Sequence, residues 1–324
     1  MPKTAVVALG GNALTRAGQT GTYDEQSDNA VTMARAVMGL RRSGWRVVIV
    51  HGNGPQVGNL AIQHEEGRRL VPAQPLFSLG AMTQGQIGSL ISLALRAEQI
   101  DLPVAAVVTH VVVSPDDPAF ARPSKPIGPF FTKARASELA AKRGWTVDDD
   151  SGRGFRRRVA SPRPVTIVET PAIEALVASG SIVIAAGGGG VPVVSTGSGL
   201  RGVEAVIDKD YVAGQLASAL GAQALVFVTD VPRLMIDFGD PTERALAEID
   251  VDAAERYQQD GQFPPGSMGP KVDAATRFLR SGGDVAVIST AALAPVTLDS
   301  TDAGQAGGSG TRIVAARRAA RSST

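Results

Sequence analysis

The chain contains no cysteine among its 324 residues. That excludes disulfides, thiolate metal sites and cysteine nucleophiles, and it fits a cytoplasmic protein. Histidine is nearly as scarce. His51, His64 and His110 are the only three, no H-E-x-x-H pair occurs, and zinc has no thiolate to complete a site, so no metal-ligating residues are assigned. No serine stands in a G-x-S-x-G elbow. Excess charge is also missing: the formal net charge is +1, which points to neither nucleic acid nor an anionic membrane. No apolar run approaches the ~18 residues of a bilayer span. The opening MPKTAVVALGG enters a strand pattern at once and leaves no room for a signal peptide. A soluble, intracellular protein is expected.

Glycine, by contrast, is abundant and placed. Four apolar stretches run into it: VVALGGNAL (6–14), VVIVHGNGP (47–55), IVIAAGGGGVP (182–192) and, with the weakest apolar lead, GSMGPKV (266–272). A strand that ends in glycine turns sharply and brings bare backbone N–H groups near a ligand. A following helix adds unpaired N–H groups and partial positive charge. Several such turns on one chain imply strand ends that jointly hold an anion, most simply a phosphate.

Short β-branched runs alternate with helical patterns. Strands are expected at Thr4–Leu9, Arg46–Val50, Val104–Val108, Ile182–Ala185, Ala224–Val228 and Val285–Ser289, with a final one at Thr311–Ala315. Helices are expected at Asp24–Arg41, Gln56–Arg69, Thr83–Ala97, Pro171–Ser179, Tyr211–Leu220 and Pro270–Arg280. The rhythm predicts an α/β fold with a mostly parallel sheet and helices on both faces, its ligand beyond the carboxyl ends of the strands. Ser114 to Arg163, rich in Pro, Asp and Arg, breaks the rhythm. Its prolines argue against continuous secondary structure at either end, although Ala134–Arg143 suits a helix. Phe120, Ile127, Phe130, Phe131 and Trp145 favour a small packed insertion over a disordered loop. The last residues, 316–324, read as a flexible tail.

Neither glycine run completes a dinucleotide fingerprint: Gly52-x-Gly54 is followed by Val57, and Gly187-x-Gly189 by Pro192, where the third small residue belongs. No Walker A loop occurs, since Gly266–Lys271 has the wrong spacing and ends in Val272. A phosphate therefore needs another cradle. The sharpest local signal is Asp208-Lys209-Asp210, ahead of YVAGQLASAL. Asp210 can cap that helix, or it can hold Lys209 against a phosphoryl group whose transfer depends on positioning and electrostatics. Lys271, after Gly-Pro, opposes a helix macrodipole unless an anion sits between them; the alternative is a solvated surface lysine. Lys125 sits between rigid prolines that would aim it, or is a loop lysine in water. Gly10-Gly11-Asn12 and Gly52-Asn53-Gly54 offer N–H groups on neighbouring strands, or serve as tight connections only. His51 fits a space-filling or hydrogen-bonding role better than a catalytic one.

At these residues the chain resembles the carbamate kinases of the amino acid kinase family. The resemblance runs from about Ala5 to Ile313 through ALGGNAL (8–14), HGNGPQVG (51–58), GAMTQGQIG (80–88), DDPAF (116–120), KPIGPF (125–130), AGGGGVPV (186–193), GVEAVIDKD (202–210), TDV (229–231) and GSMGPKV (266–272). It implies a three-layer αβα sandwich over 1–315, with a small protruding subdomain at 114–163, and a homodimer. It also implies reversible phosphoryl transfer between ATP and carbamate with Mg²⁺, as in fermentative arginine breakdown, where carbamoyl phosphate and ADP give ATP. Carried over by the resemblance, Gly10, Gly11 and Asn12 cradle phosphoryl oxygens and Gly52, Asn53 and Gly54 take the carbamate side. Lys125 arrives from the subdomain, Lys209 and Lys271 neutralise the transferring group, and Asp210 organises them. Asp230, Tyr257, Met268 and Gly269 lie near the nucleotide. Relatives acting on other acids carry a lysine two residues before the first glycine pair. Here that position is Ala8, and Lys209 is the candidate replacement. Departures from the pattern include Phe77 and Ser78, His110 and Ser114, and the absence of an acidic residue after Pro192.

Overall fold

The computed structural model describes residues 2–10, 14–16, 18–150, 152, 154–300 and 310–316. From the amino terminus the chain forms β1 (Thr4–Leu9), α1 (Tyr23–Arg42), β2 (Arg46–His51), α2 (Gly54–Gly67), α3 (Leu76–Glu98), β3 (Val104–Ala106) and β4 (His110–Val113). Then come β5 (Lys125–Phe131), α4 (Lys133–Arg143), β6 (Thr146–Asp149), β7 (Phe155–Val159), β8 (Pro164–Ile167), α5 (Thr170–Ala178) and β9 (Ile182–Ile184). The remainder is β10 (Val191–Thr196), β11 (Gly199–Gly202), α6 (Lys209–Ala219), β12 (Ala224–Val228), β13 (Leu234–Ile236), β14 (Arg244–Leu246), β15 (Glu248–Asp250), α7 (Val251–Gln259), α8 (Met268–Arg280), β16 (Val285–Ser289), α9 (Ala294–Asp299) and β17 (Thr311–Val314).

Among the described residues, eight strands make the main sheet in the order β15-β17-β16-β12-β1-β2-β9-β3. The six from β16 to β3 are mutually parallel, and β17 runs antiparallel to β16. Alternation along the strands builds two cores. Val6, Ala8, Val48, Val50, Leu225 and Phe227 face one, while Ala5, Val7, Val47, Ile49, Ala224 and Val226 face the other. Strands buried on both faces have to read as continuous apolar runs, which is why they stand out in the sequence. The first core is closed by α5, α6, α7 and α8 through Ile173, Leu216, Ala254 and Phe278. The second is closed by α1, α3 and α9 through Met33, Ile87 and Leu298. The result is a three-layer αβα sandwich with a mostly parallel sheet. Among the described residues, no helix is long and apolar enough to cross a membrane.

A second sheet, β11-β10-β4-β8, was not expected from the sequence; its strands are short and lie beside proline or glycine. The 114–163 stretch also holds more regular structure than its prolines suggest. Residues 125–159 form a three-stranded sheet, β5-β7-β6, with α4 running from Lys133 to Arg143. Strand β5 passes through Pro126 and Pro129 because it is an edge strand with a register shift between Ile127 and Phe131, positions where a missing N–H costs no ladder bond. The glycines at 266–269 follow α7 and a turn rather than a strand, so the fourth glycine turn is a helix start. Residue 316 of the expected tail is described and residues 317–324 are not.

The sheet closes late in the chain. Strand β17 slots between β16 and β15. Thr311 Oγ1 accepts from Leu234 N (2.8 Å) and donates to Leu246 O (2.5 Å), and Arg312 Nη1 donates to Thr297 O (3.0 Å) and Leu298 O (3.1 Å).

Phe227 is wholly buried at the centre of the first core. Phe227→Ala should cost about 3–5 kcal/mol, whereas Leu70→Ala, at a side chain 90% exposed, should stay within about 0.5 kcal/mol. Urea unfolding of the two variants checks this; equal losses would mean that the core is misplaced.

Candidate functional site

The carboxyl ends of β1, β2 and β9 meet the amino ends of α2 and α6. Gly10 follows β1, its N–H donating to Val228 O (3.0 Å), and a Cβ there would stand 3.1 Å from that oxygen. Gly11 and Asn12 lie outside the described residues. Gly52 follows β2 and donates to Leu9 O (3.1 Å), which ties the two turns together. Asn53 is the residue before α2, and Gly54 opens the helix with free space where a side chain would be. The first-turn N–H groups of α2 therefore lead out of this corner.

The third turn, Gly187–Gly190, is shaped by what presses on it. A Cβ at Gly187 would strike His51, at Gly188 it would strike Asn53, at Gly189 the carbonyl of Ile207, and at Gly190 the side chain of Val111. Gly188, Gly189 and Gly190 also have φ of 65°, 86° and 79°, which favour glycine. This run is thus a packing surface for the β2 turn and for the segment entering α6. Gln84 and Thr109 support it from behind: Thr109 N donates to Gln84 Oε1 (2.8 Å), and Ala186 N donates to Thr109 Oγ1 (2.9 Å). Asn53 is buried, and its Nδ2 donates to Thr83 Oγ1 (2.8 Å). Thr83 and Gln84 lie in the GAMTQGQIG string, and neither stands out there as a site residue. Side chains that reach distant residues from another helix leave no local spacing signal.

The charged centre sits on α6. Asp208, not Asp210, caps that helix: its Oδ1 accepts from Asp210 N (2.9 Å). Asp208 Oδ2 accepts from Lys125 Nζ of β5 (2.5 Å). Asp210, relieved of capping, takes Lys209 Nζ on Oδ1 (2.5 Å) and Lys271 Nζ on Oδ2 (3.1 Å). Lys271 belongs to the first turn and a half of α8 and also donates to Ser267 O (3.2 Å). It is only 8% exposed, so the solvated alternative is excluded. Helices α6 and α8 come close enough for this because Gly214 faces Ala274, where a Cβ would stand 3.1 Å from the alanine methyl.

Three ammonium groups thus share two carboxylates in a poorly solvated corner. Burial pulls the Lys209 ammonium below the ordinary lysine range; Asp210 pushes back and Lys271 adds repulsion. Burial would raise the Asp208 carboxyl, but Lys125 and Lys209 overcome it and hold the group below the usual carboxylate range. A buried excess cation is costly unless an anion completes it. The site is built to receive negative charge.

The remaining expected residues are not joined to the lysines by hydrogen bonds. Asp230 is exposed on the loop after β12. Tyr257 on α7 is half-buried, its hydroxyl accepting from Arg244 Nη2 (3.1 Å). Met268 opens α8 and packs on the first core. Gly269 is buried beside it, and its N–H is already used by Pro264 O (2.9 Å). Among the described residues, no three His, Asp or Glu side chains gather as a metal cage. All four oxygens of Asp208 and Asp210 already accept from a lysine or a backbone N–H.

His51 is buried, with Nδ1 directed at Gly52 O (3.0 Å). Burial, with the nearby Lys209 charge, lowers its pKa to about 4. Nδ1 therefore carries the proton of a neutral ring. The unfolded chain binds a proton near pH 6.5 that the folded chain refuses until about pH 4. The stability this represents is complete above pH 6.5 and is lost as pH falls through that window, in total on the order of 3 kcal/mol. His51→Gln should flatten the stability-versus-pH curve between pH 6.5 and 5, as read by urea unfolding; an unchanged slope would mean that His51 protonates freely in the folded chain.

Comparison with known proteins follows the same lines. Residues 3–289 match the family model described as the amino acid kinase family. The carbamate kinase of Thermococcus kodakarensis is 48% identical over 295 residues, covering 89% of this chain and 94% of that protein. Carbamate kinase from Giardia lamblia bound to citric acid superposes with a TM-score of 0.89 at 37% identity, covering 97% of this chain and 98% of the other. The same enzyme bound to AMP-PNP gives 0.86 at 38% identity, with the same coverage.

Proposed function

This chain belongs to the amino acid kinase family and is a phosphotransferase, and from that premise we propose that its acceptor is carbamate. The carrying observation is the convergence of Lys125, Lys209 and Lys271, from three separate segments, on Asp208 and Asp210. Identity of 43–48% to relatives named as carbamate kinases supports the choice of acceptor.

In the ATP-forming direction, a terminal oxygen of ADP attacks the phosphorus of carbamoyl phosphate, the bond from phosphorus to the carbamoyl oxygen breaks, and carbamate leaves. Charge spreads over the equatorial oxygens of the travelling group. Lys209 and Lys271 lie against those oxygens, and Lys125 reaches the same group from β5. Asp210 keeps the two mutually repelling ammonium groups within one site and is a positioning residue. Gly10, Gly11 and Asn12 line the phosphoryl side; the Gly10 N–H is engaged by Val228 O, so Gly10 serves there by the room its missing side chain leaves. Gly52, Asn53 and Gly54 take the carbamate, near the amino end of α2. Asp230, Tyr257, Met268 and Gly269 flank the nucleotide, the last through packing, since its N–H is engaged. Mg²⁺ would travel with the ATP or ADP phosphates, since the oxygens of Asp208 and Asp210 are taken by lysines and a backbone N–H.

The reading carries further expectations. One domain, 1–315, holds 114–163 as an inserted subdomain. The protein works in the cytoplasm as a homodimer on small molecules rather than on nucleic acid or membrane. The transfer is reversible, and its ATP-forming direction is the one used in fermentative arginine breakdown.

Purified protein given ADP, Mg²⁺ and carbamoyl phosphate should form ATP. Turnover on another small acid and none on carbamoyl phosphate would replace the acceptor. Lys209→Ala and Lys271→Ala should each lower turnover about a hundredfold or more, and near-normal rates in both would remove the lysines from the reaction. Activity needs Lys209 charged, so the alkaline limb of kcat/KM should lie below the ordinary lysine range. Asp210→Asn removes the group that raises Lys209 and should move that limb to still lower pH; a limb that stays in place in this variant would assign it to another group.

A further inference from the structure

The element that carries Lys125 rests on α2 through bare backbone. A Cβ built on Gly58, in the middle of α2, would lie 1.9 Å from Cα and 2.2 Å from N of Gly128 in β5. Both are main-chain atoms that cannot rotate away. Around this point Ile127 and Val159 pack with Val57, Ala61 and Leu79. Farther along, Arg143 Nη2 meets Glu66 Oε1 at 3.0 Å. Lys125 lies three residues before Gly128 on the same strand, and its Nζ reaches Asp208 at the cap of α6. The distance between α2 and β5 therefore sets how far this ammonium enters the site.

We infer that Gly58 and Gly128 form a side-chain-free seat that positions Lys125 for phosphoryl transfer. This assignment rests on the reading of Lys125 given above. The two glycines are not equivalent. Any side chain at Gly58 must lift β5 by on the order of 1 Å to clear the Gly128 backbone. A Cβ at Gly128 would meet Gly58 Cα only at 3.4 Å. Its cost would instead be the backbone φ of +74°, which lies where the register of β5 shifts. Displacements of this size at a reacting centre cost up to about a hundredfold.

The test is Gly58→Ala, with Gly67→Ala on the same helix as control, since a side chain there meets open space. ATP formation from ADP and carbamoyl phosphate should show kcat at least tenfold lower in Gly58→Ala, an unchanged Kd for ADP, and a normal rate in Gly67→Ala. In a Lys125→Ala background, Gly58→Ala should cause no further loss. A full additional loss there, or wild-type kcat in Gly58→Ala, would overturn the seat. If Gly58→Ala fails to fold by circular dichroism, Ile127→Ala loosens the same contact without a clash and faces the same two criteria. Amide exchange supplies a readout independent of the substrate. Residues 125–131 should exchange faster in Gly58→Ala while β1 and β2 stay unchanged, and unaltered exchange counts against the seat. A wild-type protein inactive on carbamoyl phosphate would sink the acceptor and leave the exchange criterion to decide the seat.

Discussion

Two aspartates and three lysines set the terms for the rest of this molecule. Ammonium groups confined in low dielectric repel one another by several kcal/mol at 4 Å, so Lys209 and Lys271 stay together only because one carboxylate faces both. That carboxylate is available because Asp208 takes over the capping of α6. The two acids of the D-K-D run are not interchangeable: one holds a helix and Lys125, the other holds two cations. An arrangement short of one negative charge waits for an anion. Transfer of a phosphoryl group demands such a preorganised field, and the family to which the chain belongs performs that chemistry.

Much of this was legible before any coordinates. Strands β1, β2, β12 and β16 announce themselves because both their faces are buried. The glycine turns at 10 and 52 and the DKD run point to the strand ends and to α6. What escaped was non-local. The Asp208 cap and the Asp210 bridge differ only in which carboxylate reaches which nitrogen, and spacing alone leaves both options open. Thr83 and Gln84 act from α3 on turns that are distant in sequence. The β4, β8, β10 and β11 sheet was hidden by the shortness of its strands, and β5 by prolines that an edge strand tolerates. The GSMG run resembled a strand end because glycine before a helix looks the same whatever precedes it.

Glycine does two different jobs here. At 10, 52 and 54 it leaves backbone near the site. At 187–190 it makes room for His51, Asn53 and the segment that enters α6, so the space at this four-glycine run is filled largely by the protein itself. The mutual dependence is tight: β2, β9 and α6 locate one another through atoms that would collide if a single methyl group were added.

The position of β17 has a consequence for biosynthesis. Residues 311–314 lie between β16 and β15, so β15 has no partner in the sheet until these residues have been translated. The parallel strands can pair before β17 is made, yet the sheet edge beyond β16 stays open until residues 311–314 clear the exit tunnel. An unpaired strand edge of this kind is a template for pairing with other chains.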